Sequence, residues 1–277
     1  FPSLTPTEYD VDVFTADAEY DFGFATLTSA TSFTKFEGQE LQESRGGWTS
    51  PGPSGFAFSY YYGNFPRFTT PYLNTHEGED FTQEVRLVSS WDKPVEYTFG
   101  YYYTDQDKTS TYYQTFPGVS EWAQGQNLLS GGGTTSWASV NRFFVWNSFA
   151  AYEFNSDLAF DWDANKKFTE HAVFGEITWQ VTPEWQFTGG FRTFWQDNDV
   201  DMLQFQPLCG TGCSDTGTDP SGRTSFSGDT SQSGQVFKLN TSYDLSEDLM
   251  IYFNWAEGYR KGGVNIVPLT GVFRSLE

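Results

Sequence analysis

The chain has 277 residues, of which 36 are acidic and 15 basic, and its formal net charge is −21. This acidic excess would repel a phosphate backbone, and no basic patch offsets it, so the sequence argues against nucleic-acid binding. No apolar run approaches the roughly 20 residues that a membrane-spanning helix needs, which excludes helical spanning but leaves spanning strands open. Aromatic residues make up 19% of the chain and favour half-buried strands and membrane interfaces.

Alternation of apolar and polar residues predicts eight strands in four hairpins. Each hairpin closes through a short turn of residues suited to tight connections: DFG, WDKP, TPE and SED in chain order. The paired strands are Val11–Tyr20 with Phe24–Phe33, Phe81–Ser90 with Val95–Thr104, Glu170–Val181 with Trp185–Gln196, and Gln235–Leu245 with Leu249–Tyr259.

Long segments rich in Gly, Ser, Thr, Asn and aromatic residues separate these hairpins. They cover about residues 36–79, 105–168, 197–233 and 261 onward. Such long loops are uncommon in compact soluble domains. Every second connection is long and the others are short, which is typical of outer-membrane barrels with tight periplasmic turns and large extracellular loops.

The strand before TPE separates its residues into two faces. Val173, Ile177 and Trp179 point one way, whereas Glu176 and Thr178 point the other way. The other hairpins repeat this apolar stripe. A soluble β-sandwich shows the same alternation, because its apolar faces pack on each other.

Three features favour lipid over a dry core: long strands, one-sided loop lengths, and Trp residues at strand ends. These Trp residues are Trp91, Trp179, Trp185 and Trp195. We therefore predict an all-β fold, an antiparallel up-and-down transmembrane β-barrel. It is present in part, as about eight long strands in four hairpins with long extracellular loops.

The four hairpins resemble, in order, the barrel repeats of TonB-dependent outer-membrane receptors. The residues that carry the resemblance are AEYDFGFATLTSATSF, DFTQEVRLVSSWDKPVEYTFGYYYTDQD, HAVFGEITWQVTPEWQFTGGFRTF and LNTSYDLSEDLMIYFNWAEGYRKGGVN. The last of them contains EGYRKGGVN, the most specific match. Residues 1–277 would then be a fragment of a single β-barrel domain, without the plug domain and the C-terminal strands.

The resemblance implies a barrel of about 22 strands whose lumen is closed by a plug. Such a receptor actively imports a scarce nutrient, of the siderophore-iron, cobalamin or glycan type, and is energised through TonB. The implied location is the outer membrane of a Gram-negative cell. The implied partners are outer-membrane lipid and lipopolysaccharide, the TonB complex through the plug, and a small-molecule nutrient ligand. No enzymatic activity and no cofactor are expected.

Two other functions fit part of the pattern. A passive porin-like or adhesin outer-membrane barrel would have the same strands without a plug. A soluble carbohydrate-binding β protein would need the apolar stripes of the hairpins to pack on one another.

Charged residues on the polar faces of the strands are the candidate lumen-facing groups. They are Glu84, Arg86, Arg192 and Arg260. Because a lumen is wet, such charges are expected there and serve mostly structure or plug contacts, with ligand contact as the alternative.

Metal and catalytic motifs are weak in this sequence. Asp197, Asp199 and Asp201 in DNDVD suggest either an exposed polar loop or, as the weaker candidate, a divalent cation site. The two histidines, His76 and His171, are too far apart in sequence to suggest a shared site, and we expect His76 in a loop. No nucleophile or phosphate-loop motif is present.

Cys209 and Cys213 lie in PLCGTGCSDTG, where the flanking Gly, Pro and Ser residues predict a surface loop. No further Cys or His lies nearby in the sequence to complete a tetrahedral metal site. We therefore predict a disulfide between them, formed in an oxidising compartment, with two free thiols as the alternative.

If Cys209 and Cys213 form this disulfide, the denatured protein will take up no iodoacetamide until a reductant is added. After reduction both thiols should be alkylated, because the disulfide is the only barrier to their reaction once the chain is unfolded. Intact-mass spectrometry with and without reductant measures the difference. Alkylation of both cysteines without reductant would show two free thiols instead.

Overall fold

The computed structural model describes residues 6–43, 69–90, 93–115, 117–118, 157–205 and 224–264. They form one antiparallel sheet of 8 strands, each hydrogen-bonded to the next in chain order. The strands are β1 (Thr7–Asp21), β2 (Ala25–Glu43), β3 (Pro71–Ser89), β4 (Val95–Thr115), β5 (Leu158–Thr182), β6 (Trp185–Phe205), β7 (Thr224–Ser246) and β8 (Leu249–Ala256). No helix in the described ranges is long and apolar enough to cross a membrane.

All four predicted hairpins are confirmed, and local turn chemistry explains the tight connections. Gly23 in the DFG turn has a φ of 84°, in the left-handed region that glycine adopts without a Cβ clash. The Asp21 Oδ1 atom accepts a hydrogen bond from the Gly23 backbone N at 2.7 Å and supports the turn. At TPE, Thr182 pairs with Trp185, so the turn is equally short.

Every strand except β8 extends beyond its predicted bounds, at the end away from the short turn. The predicted loops were therefore too long. For example, β4 continues through TDQDKTSTYYQT to Thr115, and β5 begins at Leu158. Both faces are polar in this stretch of β4, so no period of two marks it in the sequence. Backbone pairing with β5 continues through it, and a 3.3 Å ion pair joins Lys167 Nζ to Asp107 Oδ2.

The last strand ends earlier than predicted, at Ala256 instead of Tyr259. The Glu257 backbone N donates to the Phe237 carbonyl at 2.9 Å. In return, the Glu257 carboxylate, and not its carbonyl, accepts from the Phe237 backbone N at 3.0 Å. A side chain thus replaces the next backbone partner, and the chain leaves the sheet after this residue.

The sheet is open within the described residues. β1 has a strand neighbour only in β2, and β8 only in β7. Every residue of both edge strands is exposed. The edge of β1 away from β2 and the edge of β8 away from β7 therefore carry backbone groups that can pair with further strands.

Strand register shows which residues share a face, because directly opposite residues lie on the same side of a sheet. Val173 lies opposite Tyr101 on β4 and Thr193 on β6, so the predicted apolar stripe does occupy one face. We call it the outer face, and the opposite side the inner face. The outer face also carries Leu87, Phe99, Ile177, Trp179, Phe187, Phe191, Trp195, Phe237, Leu239, Phe253 and Trp255.

The two faces differ in burial. On the outer face, Ile177 is 46% exposed and Trp179 is 49% exposed, whereas Ala172 and Phe194 on the inner face are 0% and 2% exposed. The described apolar stripes therefore face outward from a single sheet and do not meet across a dry core. The described strands therefore do not form a soluble sandwich, in which the apolar faces would pack on one another.

Glycines on the inner face let aromatic rings lie flat against the neighbouring strand. Phe174 of β5 covers Gly100 of β4, where an added Cβ would overlap the ring. Phe194 of β6 covers Gly234 of β7, and an added Cβ would approach its Cζ atom to 2.7 Å. This packing covers the strand backbone while leaving the rings available to other groups on the inner side.

Aromatic residues border the apolar part of the outer face at two levels. Trp179 and Trp185 lie beside the TPE turn, and Tyr103, His171 and Trp195 lie together further along the strands. Beyond the second level, the outer face becomes acidic. The acidic residues there are Asp105, Asp107, Asp197, Asp199, Asp201 and Asp229. Two aromatic girdles with an apolar band between them are typical of a barrel in lipid.

A charge placed in the apolar band tests what surrounds the outer face. Ile177→Lys should lower the free energy of unfolding by about 1–2 kcal/mol, because lysine is costly in lipid even between the bilayer midplane and the aromatic level of Trp179. Urea unfolding of the protein in lipid vesicles measures the loss. The matched control is Thr98→Lys, which lies at the same level on the inner face, opposite Glu176. An equal loss for both variants would contradict a lipid-facing outer face.

Candidate functional site

Three of the four predicted lumen-facing residues lie on the inner face. Glu84 and Arg86 belong to β3, where Arg86 Nη1 is 3.7 Å from Glu84 Oε1. Arg192 belongs to β6, and the two strands β4 and β5 separate it from that pair. Arg260 lies in the segment after β8 and is exposed. The structure thus places these charges on one wall without joining them into one contact.

Glu170 of β5 is the centre of a polar network on the inner face. It is only 5% exposed. Its Oε1 atom accepts from Arg192 Nη2, and its Oε2 atom accepts from Gln196 Nε2 at 2.7 Å. Tyr259 Oη also donates to Oε1, at 3.4 Å. A buried carboxylate needs such partners, since an unpaired buried charge is strongly unfavourable.

This network retains unused hydrogen-bonding capacity. The Arg192 guanidinium carbon lies 5.0 Å from the centre of the Tyr102 ring, in a cation–π contact. Within the described part of the chain, Arg192 Nε and Gln196 Oε1 are buried without a hydrogen-bond partner. Native structures rarely leave such atoms unpaired, so water or another group is expected to meet them. We call Tyr102, Glu170, Arg192 and Gln196 the inner-face cluster.

Residues 257–264, which we call the strap, cross the inner face after β8. The Tyr259 ring stacks on Phe194 with centroids 4.1 Å apart and planes inclined by 21°. Further along, Asn198 Nδ2 donates to the Gly262 carbonyl at 2.9 Å. The strap therefore packs on β6 next to the inner-face cluster.

Lys261 attaches the strap to β5 and β4. Its ammonium lies 3.2 Å from the centre of the Phe168 ring and donates to Gln106 Oε1 at 3.3 Å. Burial lowers the pKa of Lys261, and the nearby positive charge of Lys108 lowers it further. The ammonium is thus held in a place that partly disfavours its charge.

A second ion pair lies on the inner face nearer the short turns. Lys238 Nζ of β7 pairs with Glu176 Oε2 of β5. The lysine chain crosses β6 at Gly190, where an added Cβ would lie 2.7 Å from Lys238 Cε. Beside this pair, Arg192 and Glu257 help to line a cavity of about 430 Å³. Its volume is within the range of small-molecule pockets.

The candidate cation ligands Asp197, Asp199 and Asp201 lie in β6 and not in a loop, which corrects the loop prediction. Their spacing of two places them in a row on the outer face. Asp197 Oδ1 accepts a hydrogen bond from Ser231 Oγ at 2.6 Å. The described residues contain no group of three or more Asp, Glu, His or Cys side chains that could hold a metal ion.

Both histidines also lie in strands. His76 belongs to β3, contrary to its predicted loop position, and its Nδ1 atom lies 3.2 Å from Ser110 Oγ. His171 Nδ1 lies 2.6 Å from Tyr101 Oη on the outer face. Each ring therefore has a neighbouring hydroxyl partner, and the two do not share a site.

The predicted disulfide concerns Cys209 and Cys213, which lie outside the residues that the structure describes. β6 ends at Phe205 and β7 begins at Thr224, so both cysteines belong to the connection between these strands. The disulfide stays a prediction.

Sequence analysis missed several residues of the site, namely Glu170, Gln196, Tyr259 and Lys261, as functional positions. The TPE hairpin holds a usable signal for the first two. The strand register shifts by one residue between Gln180 and Thr182, next to the turn. Counting residue pairs outward from the turn with this shift places Glu170 opposite Gln196. No comparable signal exists for Tyr259 and Lys261, because nothing local shows that the chain turns inward after Glu257.

Comparison with known proteins decides the family. The family described as TonB dependent receptor-like, beta-barrel matches residues 2–272. The chain belongs to the TonB-dependent receptor family. This confirms the resemblance seen in the four hairpins and the predicted up-and-down barrel fold. No curated protein matches the chain in sequence.

Solved structures with low sequence identity share the fold. The ferric yersiniabactin uptake receptor of Yersinia pestis is 14% identical, with a TM-score of 0.64 over 97% of this chain and 31% of that one. The ferric-catecholate import receptor of E. coli K12 in its open form is 15% identical, with a TM-score of 0.52 over 92% of this chain and 36% of that one. The siderophore receptor of Acinetobacter baumannii is 15% identical, with a TM-score of 0.52 over 91% of this chain and 32% of that one. The chain therefore spans about a third of the length of these receptors.

Membership of this family has two direct consequences. TonB-dependent receptors are proteins of the Gram-negative outer membrane, which confirms the predicted location. They are transport proteins and not enzymes, which confirms the expectation that this chain carries no catalytic activity.

Breaking the Glu170–Arg192 pair tests the central interaction of the cluster. Glu170→Ala should lower the free energy of unfolding by about 2 kcal/mol. This loss is smaller than the loss expected on breaking a fully buried ion pair, because Arg192 is partly exposed. Adding Arg192→Ala should recover part of the loss, since no unpaired charge then remains. The control Arg86→Ala removes an exposed pair and should cost less than about 1 kcal/mol. Equal effects of Glu170→Ala and Arg86→Ala in urea unfolding would contradict the central role of Glu170.

Proposed function

We propose that the chain is the central part of the barrel of a receptor that actively takes up a scarce nutrient, energised through TonB. The nutrient classes to be tested are siderophore-bound iron, cobalamin and glycans. Transport of this kind makes and breaks no bond in the nutrient. It needs a wall that binds reversibly and releases when a plug moves.

The inner-face cluster is the observation that supports this proposal best. The buried Glu170 pairs with the partly exposed Arg192, and the Arg192 Nε and Gln196 Oε1 atoms beside this contact have no partner among the described residues. Polar atoms at this wall that can bond to water, to a ligand or to a plug residue favour a wall that exchanges partners.

The exposed edges of the sheet support a larger barrel around the chain. β1 and β8 each have one strand neighbour among the described residues, and a barrel in lipid leaves no edge unpaired. Further strands from the same receptor would pair with β1 and β8. The plug would then fill the lumen against the inner face and link it to the TonB complex.

The arrangement of the outer face supports an orientation. The TPE turn lies at the end of the hairpin, next to the aromatic level of Trp179 and Trp185, and would face the periplasm. The acidic ends of the strands, including Asp199 and Asp201, would lie outside the cell near the lipopolysaccharide headgroups. The connection that holds Cys209 and Cys213 would lie on the same side.

Uptake assays in the parent bacterium test the proposal. The nutrients supplied are radiolabelled ferric siderophores, cobalamin and oligosaccharides. We expect accumulation of one of them to require both the receptor gene and TonB, because TonB would supply the energy for passage through the proposed receptor. Accumulation that needs the receptor but not TonB would show a passive barrel instead. No effect of the receptor gene on any nutrient class would contradict the proposed uptake.

A pair of matched variants then tests the inner face itself. Arg192→Gln should lower uptake about tenfold, because one charge-assisted hydrogen bond at the inner wall is lost. Lys167→Gln removes a charge from the outer face of β5, where the lysine pairs with Asp107, and should leave uptake unchanged. Equal uptake by the two variants would show that the inner-face cluster is not part of the pathway.

A further inference from the structure

We infer that the strap is a displaceable gate over the inner-face cluster, closed in this structure. It must move before anything in the lumen can contact Glu170 and Gln196. The inference rests on the proposed function, because it needs the inner face to line a lumen.

The strap is attached in a way that allows it to move. Among the described residues, its last backbone–backbone hydrogen bond is the one from Glu257 N to Phe237 O. Beyond that bond, side chains hold it: the Tyr259 ring on Phe194, and the Lys261 ammonium on Phe168. Such contacts can separate without breaking the strand pairing that maintains the sheet.

Opposing effects act on the closed position. Stacking on Phe194 and the cation–π contact with Phe168 favour it. Burial of the Lys261 ammonium and its repulsion from Lys108 disfavour it, as the lowered pKa of Lys261 reflects. The free-energy difference between the closed and the displaced strap is therefore small, as a movable element requires.

Displacement of the strap would uncover a prepared surface. Phe168 is 7% exposed and Phe194 is 2% exposed while Tyr259 and Lys261 lie on them. Glu170 would lose the Tyr259 hydroxyl but keep Arg192 and Gln196, so the Glu170–Arg192 pair survives the change. The uncovered wall would present two aromatic faces beside the unpaired Arg192 Nε and Gln196 Oε1 atoms.

Cysteine labelling of the purified full-length receptor in detergent tests the gate, with a sulfonated maleimide as the probe. The reporter is Gln196→Cys, at a position that is 2% exposed between the strap contacts at Phe194 and Asn198. All variants carry Cys209→Ser and Cys213→Ser. Tyr259→Ala with Lys261→Ala should raise the labelling rate about tenfold, because the stack and the cation–π contact are lost.

Two controls complete the test. Tyr259→Phe keeps the stack and loses only the hydroxyl, so it should raise labelling less. The reporter Thr188→Cys, on the inner face of the same strand, should label at the same rate whether or not the strap is altered. The gate is wrong if the strap substitutions leave the labelling of Gln196→Cys unchanged. Failure of Thr188→Cys to react with the water-soluble probe would instead overturn the wet lumen of the proposed function.

Discussion

The alternation of side chains along hydrogen-bonded antiparallel strands is the constraint on which the rest of this structure depends. Val173 must lie on the same side as Tyr101 and Thr193, because the backbone ladder places them directly opposite one another. A register shift of one residue would move every apolar side chain of a strand to the other face. The apolar outer face and the polar inner face are therefore two results of one pairing scheme.

The polar inner face carries its own constraint, since a buried charge needs partners. Glu170 meets this need with Arg192, Gln196 and Tyr259, which come from β6 and from the strap. One carboxylate thus joins the wall of the sheet to the segment that crosses it. Because this network lies on the inner face, it links the packing of the wall to the proposed transport.

Much of the fold could be predicted, because apolar alternation and turn residues act locally. The TPE turn and the stripe through Val173, Ile177 and Trp179 were sufficient to place β5 and β6 as a hairpin. The halves of the strands away from the short turns could not be predicted, since both of their faces are polar and leave no period of two. Backbone pairing and cross-strand contacts such as the Lys167–Asp107 ion pair keep those halves in the sheet, and neither leaves a period of two in the sequence.

The candidate site was predictable only in part, for the same reason. By itself, the sequence determined the hairpins, the apolar stripe, and the placement of Glu84, Arg86 and Arg192 on the opposite face, because each follows from neighbours close in the chain. Only the tertiary structure decided that Glu170 meets Arg192 and that Tyr259 and Lys261 turn back onto the wall. These contacts depend on strand register and on the Glu257 carboxylate ending the ladder at Phe237, and such long-range geometry cannot be read from local periodicity.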